Sequence, residues 1–229
     1  MADPLPELAS LGMLRRDAPK TVAGFRRWRT IIDTDGALPA RIKRLFVACA
    51  ATVKGYQELA TRELFAARDL GLALEEAAAA VAILASVRGE GASLRFHGMF
   101  QAVYPEAGDP EWPADDIEVE EGAAEANFVR YFDTVPPSLA KLLALNPLGA
   151  DAYYLMREGT LSGTALGPIN AELLLVTVLV ADYSSWASVH MNGARKAGAT
   201  EEAIAEAVIC AVPTAGLSAW VIGATAMDG

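Results

Sequence analysis

The sequence predicts an all-α protein, and three observations lead to that prediction. The 229-residue chain is 53% hydrophobic, alanine is abundant and runs of β-branched residues are short, a composition that favours helices over strands. Two separate segments show the same pattern of three consecutive helices. No segment alternates polar and apolar residues with a period of two for long enough to form a strand.

The two three-helix segments are predicted to be diverged copies of one repeat. Each begins with an apolar helix, continues with an alanine-rich helix that a glycine ends, and closes with a helix carrying acidic residues in its first turn. The copies align when Gly71 is placed on Gly198. Three further pairs then coincide, namely Ala67 with Ala194, Glu75 with Glu202 and Val81 with Val208. Thr200 is expected to be the N-cap of the last helix of the second copy.

This repeat divides the chain into three parts. Residues 1–105 are expected to hold the first repeat, and residues 124–229 the second. Residues 106–123 between them are rich in acidic residues and contain prolines, so we expect an acidic linker there. The second repeat begins with two predicted helical segments, roughly residues 124–145 and 150–158.

The uncharged stretch 207–227 is the one candidate for a membrane span. Pro213, Gly216 and Gly223 interrupt it, so a buried helix followed by a second helix is the better interpretation. The N-terminus has no basic region followed by an apolar run and thus no visible secretory signal. We therefore expect a cytoplasmic protein without a membrane partner.

Charge and cysteine content exclude several functions. The formal net charge is −10, which argues against a nucleic-acid partner because such a partner needs a basic surface. The two cysteines, Cys49 and Cys210, are far apart and give neither a disulfide framework nor a metal signature. The two histidines are also far apart, so no metal site is predicted.

Candidate chemistry is concentrated in residues 181–207. A helix predicted to begin near Asp182 would carry Tyr183, Trp186 and His190 on one face, at positions i, i+3 and i+7. Ser185 would lie beside this stripe. Glu172 stands at the start of the preceding apolar helix, and its carboxylate is a suitable partner for a histidine that exchanges protons near neutral pH.

Purely structural interpretations of the same residues exist. A histidine on a mostly apolar helix is often a structural residue, and aromatic side chains at this spacing commonly pack between helices. Arg157 is suited to contact a substrate carboxylate, but a surface salt bridge would explain it equally well.

The stretch "YYLMREGTLSGTALGPINAELLLVTVLVADYSSWASVHMNGARKAGATEEAIAEAV" resembles the carboxymuconolactone decarboxylase superfamily, which includes the AhpD-like alkylhydroperoxidases. The peroxidase branch has a glutamate on one helix and Cys-x-x-Cys-x-x-x-His on the next. Here the glutamate corresponds to Glu172 and the histidine to His190, but Tyr183 and Trp186 occupy the two cysteine positions. Peroxide reduction needs a thiolate and a resolving thiol, so a thiol peroxidase is disfavoured.

The resemblance implies an AhpD-like fold of two helical repeats and assembly into a homo-oligomer, a trimer or a hexamer-like ring. It also implies cofactor-independent acid–base chemistry, namely decarboxylation, isomerisation or lactone ring opening, on a small carboxylated or lactone-like metabolite. The catalytic residues would be His190 and Glu172. The substrate-binding residues would be Tyr183, Ser185 and Trp186.

Two questions stay open at this level. In the first copy Glu63 replaces the histidine and Lys43 replaces the glutamate, so we expect that repeat to be degenerate. The alternative to an enzyme is a non-catalytic ligand-binding or assembly protein that kept the fold.

Overall fold

The computed structural model describes residues 6–108 and 117–228, and within these ranges the chain contains helices and no strands. The all-α prediction is therefore confirmed. The α-helices are α1 Gly12–Asp17, α2 Pro19–Asp33, α3 Ala40–Val53, α4 Gln57–Asp69, α5 Leu74–Arg88, α6 Glu90–Val103, α7 Ala123–Phe132, α8 Pro137–Leu145, α9 Pro147–Leu161, α10 Gly167–Ala181, α11 Ala187–Lys196, α12 Glu201–Cys210, α13 Val212–Ala215 and α14 Leu217–Met227. Short 3₁₀ helices cover Leu8–Ser10 and Pro105–Ala107.

Helices α3 and α10 form the centre of the molecule and pack against each other. Every residue from Ala171 to Ala181 is buried, as expected of a helix that is apolar on all sides. Thr177 is tolerated there because its hydroxyl donates to the carbonyl oxygens of Leu173 and Ala207, which also ties α10 to α12. One continuous apolar core contains residues from both halves of the chain.

The two glycines that align the predicted copies end their helices in the same way. Gly71 has a φ of 86° and Gly198 a φ of 101°, the left-handed conformation typical of glycine after a helix. After each glycine, the next backbone amide donates to a carbonyl in the last turn of the helix: Leu72 to Ala67 at 3.0 Å and Ala199 to Ala194 at 2.9 Å. Both helices therefore end in the same Schellman motif, although the repeat itself stays a prediction.

The last helices of the C-terminal segment begin and end where their sequence indicates. The Thr200 hydroxyl accepts a hydrogen bond from the Ala203 amide, so its prediction as an N-cap is confirmed. Pro213 and Gly216 divide residues 207–227 among α12, α13 and α14. In the described ranges, the chain has no helix with the length and apolar character needed to span a membrane.

The helix predicted to begin near Asp182 is wrong in its starting point. α10 ends at Ala181 and α11 begins only at Ala187. In between, Tyr183 takes the left-handed position of another helix-ending motif, with a φ of 56°, and the Ser184 amide donates to the Leu179 carbonyl. Arg88 holds the adjacent Asp182 through an ion pair of 2.6 Å, which helps to fix this turn.

The predicted helix over residues 124–145 is two helices. Asp133, just after α7, has a φ of 66° and ends that helix. The pair Pro136-Pro137 then begins α8, because proline is accepted at the start of a helix but not inside one. α7, α8 and α9 enclose a second small core around Phe128. Of the expected acidic linker 106–123, residues 109–116 lie outside the described residues.

Candidate active site

Glu172 is the buried centre of the candidate site. It lies in the second turn of α10, and only 4% of its side chain is exposed. Its Oε2 atom lies 2.7 Å from Nδ1 of His190, and its Oε1 atom accepts a hydrogen bond from the Tyr131 hydroxyl. Both carboxyl oxygens are thus occupied by side chains from two other helices.

His190 is placed by α11, the helix that follows α10 and packs along it. Its side chain is 21% exposed. As a carboxylate, Glu172 accepts from both of its partners, so the Nδ1 atom of His190 carries the proton shared with Glu172. Nε2 is then the basic nitrogen of the ring, and no described protein group forms a hydrogen bond with it.

Tyr131 joins the site from α7. Burial raises the pKa of the Tyr131 hydroxyl well above its usual range, and the negative charge of Glu172 raises it further. The phenol therefore stays protonated and remains a donor to Glu172. Tyr131 was not predicted from the sequence, where its signal is weak: Phe128, Tyr131 and Phe132 form an aromatic face of a short helix, which also fits simple packing.

Gly193, one turn after His190, leaves room for the side chains of Glu172 and Tyr131. A Cβ atom at position 193 would collide with Glu172 and with the hydroxyl of Tyr131. Only a residue without a side chain lets the α11 backbone approach the buried carboxylate so closely. Sequence reasoning missed this requirement as well, since Gly193 has an ordinary helical conformation.

Arg157 on α9 completes the polar group. Its guanidinium carbon lies 3.1 Å from the centroid of the Tyr131 ring, a stacked cation–π contact. Nη1 donates to the Asn127 side-chain oxygen at 3.1 Å. Arg157 is buried, so the surface salt bridge considered for it from the sequence is not what the structure shows.

A cavity of about 260 Å³ adjoins these residues. It lies between α5, α7, α9, α10 and α11, and its wall is mostly apolar, as is usual for small-molecule sites. The exposed residues Tyr153, Met156 and Trp186 mark the side that faces solvent. The lining residues are Ser86, Val87, Tyr131, Phe132, Tyr153, Met156, Arg157, Thr160, Leu161, Leu175, Leu179, Trp186, Val189 and His190.

The structure brings together some of the residues predicted for the site and separates others. His190 and Trp186 line the cavity, and Glu172 lies directly behind His190. Tyr183 and Ser185 do not line it. Because they lie in the turn between α10 and α11 and not on a helix, the Tyr183 hydroxyl instead donates to the Ala215 carbonyl at 2.7 Å.

Neither cysteine lies at the cavity. Cys49 on α3 and Cys210 on α12 are fully buried, and burial raises the pKa of both thiols far above the usual range. Such thiols are poor nucleophiles. Among the described residues, no three histidine, cysteine or acidic side chains come together in a way that could hold a metal ion.

The corresponding position in the first segment holds an ion network. Glu63 is fully buried and pairs with Arg29, Arg44 and Arg62 at 2.6–3.1 Å. Lys43 pairs with Glu206 at 2.9 Å. These charges satisfy one another, and neither Glu63 nor Lys43 lines the cavity beside His190.

Part of the chain matches a known protein family. Residues 147–227 fit the model of the carboxymuconolactone decarboxylase family, and no curated protein matches the chain. The matched segment runs from α9 to α14 and contains Glu172, His190 and Arg157, whereas Tyr131 lies before it. Residues 147–227 are therefore similar to the carboxymuconolactone decarboxylase family.

Proposed function

We propose that the protein is a cofactor-independent acid–base enzyme that acts on a small carboxylated or lactone-like metabolite. The observation that carries this proposal is the hydrogen bond between His190 and the buried Glu172 at the wall of a cavity. A histidine held in this way is the usual general base of a proton transfer, and such groups contribute typically about 10²–10⁴ in rate.

In the proposed mechanism, Nε2 of His190 removes a proton next to a carbonyl group of the substrate. The imidazolium that forms is stabilised by Glu172 through the Nδ1–H bond, because the carboxylate is close and shielded from water. Tyr131 keeps Glu172 in place. His190 then returns the proton to a different atom of the enolate-like intermediate. For decarboxylation, His190 starts as the imidazolium: loss of carbon dioxide leaves the enolate, and Nε2 donates its proton to the enolate carbon.

This proposal covers decarboxylation, isomerisation and lactone ring opening, since each uses a proton donor or acceptor at this position. A lyase is the form we propose first, since the matched family model is named for a decarboxylase. We also propose that the protein is a homo-oligomer, because α14 exposes Leu217 and Val221 on one face and exposed apolar residues that cluster are typical of interfaces.

The test is a proton-exchange assay with matched histidine variants. A panel of small β-keto acids and carboxylated lactones is incubated with the protein in D₂O, and product formation and deuterium incorporation are followed by NMR. We expect His190→Ala to lower the rate at least a hundredfold. His97→Ala is the control, because His97 on α6 stacks on Phe100 and is the only other histidine of the chain.

Helix content must be the same in both variants, as measured by circular dichroism. Equal rates for the wild type and His190→Ala would contradict the proposal. Binding of panel members without any turnover would favour the alternative, a ligand-binding protein that kept the fold.

A further inference from the structure

Arg157 carries a hydrogen-bond donor that the protein does not use. The residue is 9% exposed, and its Nη2 atom is buried without a hydrogen-bond partner in the described structure. A buried donor without an acceptor costs about 1–3 kcal/mol, and more when it is charged. Such groups are rare in folded proteins and require an explanation.

The charged group of Arg157 contacts the aromatic rings of Tyr131 and Phe132 but has no carboxylate partner among the described residues. No described carboxylate lies within ion-pair distance of it. Asn127 stands between Arg157 and Glu158, accepting from the arginine and donating to Glu158 at 2.7 Å. Glu158 is also bound by Arg130 at 2.9 Å, so an acidic side chain is nearby but is engaged elsewhere.

Glu172 is not available as a counter-ion. Its two oxygens are bound by Tyr131 and His190, and Arg157 contacts the Tyr131 ring and not the carboxylate. Burying a charge without a partner costs several kcal/mol. A protein that retains this arrangement is suited to receive the missing negative charge from a ligand.

The cavity is where that ligand would bind, because Arg157 is part of its wall. Among the lining residues there is no aspartate or glutamate, so the wall repels no anion. Apart from the polar atoms near Arg157 and His190, it is built mainly from apolar side chains such as Leu175, Leu179 and Phe132. Complementarity therefore calls for one anionic group and an apolar remainder.

We propose that the ligand of this cavity is a small monocarboxylate with an apolar body, and that its carboxylate binds Nη2 of Arg157. The identification of this ligand with the substrate rests on the function proposed above, but the binding itself does not. Guanidinium groups suit carboxylates because their N–H donors match the two oxygens. A second carboxylate would be placed against the apolar wall without a partner, which is costly.

The experiment measures binding of three matched probes by titration calorimetry: benzoate, its neutral analogue benzamide, and the dicarboxylate terephthalate. We expect the wild type to bind benzoate at least tenfold more tightly than either of the others. Arg157→Met should remove this preference, and Arg157→Lys should retain part of it. Arg130→Met is the control, because Arg130 is a nearby arginine that binds Glu158 but its side chain is 69% exposed.

Several outcomes would overturn the proposal. These are equal affinities of the wild type for benzoate and benzamide, tighter binding of terephthalate, no benzoate binding at millimolar concentration, and an unchanged benzoate preference in Arg157→Met. The comparison of probes on the wild type decides the question even if Arg157→Met does not fold.

The comparison of probes on the wild type separates this proposal from the proposed function, because it measures binding without turnover. If the protein selects benzoate but shows no turnover, the monocarboxylate site stands and the proposed enzyme is rejected. If it shows turnover and its KM is unchanged in Arg157→Met, the enzyme stands and the site is rejected.

Discussion

The hydroxyl of Tyr131 on α7 donates a hydrogen bond to Glu172 on α10. Glu172 lies inside the segment that matches the carboxymuconolactone decarboxylase family, and Tyr131 lies outside it. The candidate site is therefore completed by a part of the chain that the family model does not cover. Ser86 and Val87, from the first half, also line its cavity.

Tyr131→Phe tests whether that hydrogen bond positions the proposed catalytic pair, Glu172 and His190. The variant leaves Oε1 of the buried Glu172 without a donor, so Glu172 and the attached His190 lose their fixed orientation. We expect kcat to fall about tenfold to a hundredfold, as a misplacement of about 1 Å does, with KM within a factor of about three. Steady-state kinetics on a substrate found in the exchange assay provides the measurement.

Tyr183→Phe is the matched control for Tyr131→Phe. It also removes one tyrosine hydroxyl, but that hydroxyl bonds to the Ala215 carbonyl, and the residue is 47% exposed. We expect its kcat to stay within a factor of two of the wild-type value. A larger loss in Tyr183→Phe than in Tyr131→Phe would restore the role predicted for Tyr183 from the sequence and remove the one assigned to Tyr131.

The difference between these two tyrosines shows what the sequence could predict. The pairing of His190 with Glu172 was accessible, because both residues lie in a matched motif on successive helices. Tyr183 was misplaced because a helical wheel assumes a continuous helix, whereas this tyrosine occupies a left-handed turn that glycine usually takes. Tyr131 is 41 residues from Glu172, and only tertiary packing brings the two together.

Gly193→Ala tests the close approach of α11 to Glu172. Alanine is the better helix former by about 1 kcal/mol, so propensity alone predicts a more stable protein. We expect the opposite, a loss of about 1–3 kcal/mol, because the added Cβ would collide with Glu172 and Tyr131. Urea denaturation followed by circular dichroism gives the free energy of unfolding.

Gly98→Ala serves as the control for Gly193→Ala. Gly98 lies inside α6, and a Cβ atom there would meet no other atom within 4 Å. Its replacement should therefore stabilise the protein by several tenths of a kcal/mol. Equal stabilisation by both substitutions would show that the helix at position 193 can move away from Glu172 without cost.

The fold was easier to predict than the site because its signals are local. The glycines that end helices and the cap at Thr200 act within a few residues, and the structure contains them where the pattern indicates. Burial of Arg157 was not predictable in this way. Its environment is created by Asn127 and Tyr131 on a helix separated from it by α8, so the sequence around Arg157 fits a surface position equally well.

Glu63→Gln tests the ion network in the first segment. Burial opposes ionisation of Glu63, but Arg29 and Arg44 outweigh it and hold its pKa below the usual range. Arg62 and Asp33 also belong to this network. Removing the charge leaves buried guanidinium groups without their counter-ion, so we expect a loss of about 3–5 kcal/mol at pH 7.

The pH dependence of that loss is the sharper measurement. Because the pKa of Glu63 is lowered by folding, its contribution is fully present above its unfolded pKa of about 4.3 and declines as the pH falls further. The difference between wild type and Glu63→Gln in the free energy of unfolding should thus be constant from pH 6 to 8 and shrink below about pH 4. Glu58→Gln, on the exposed side of the same helix, should differ from wild type by less than about 0.5 kcal/mol at any of these pH values. A Glu63→Gln difference that persists undiminished at pH 3 would mean that packing, and not the carboxylate charge, accounts for the stabilisation.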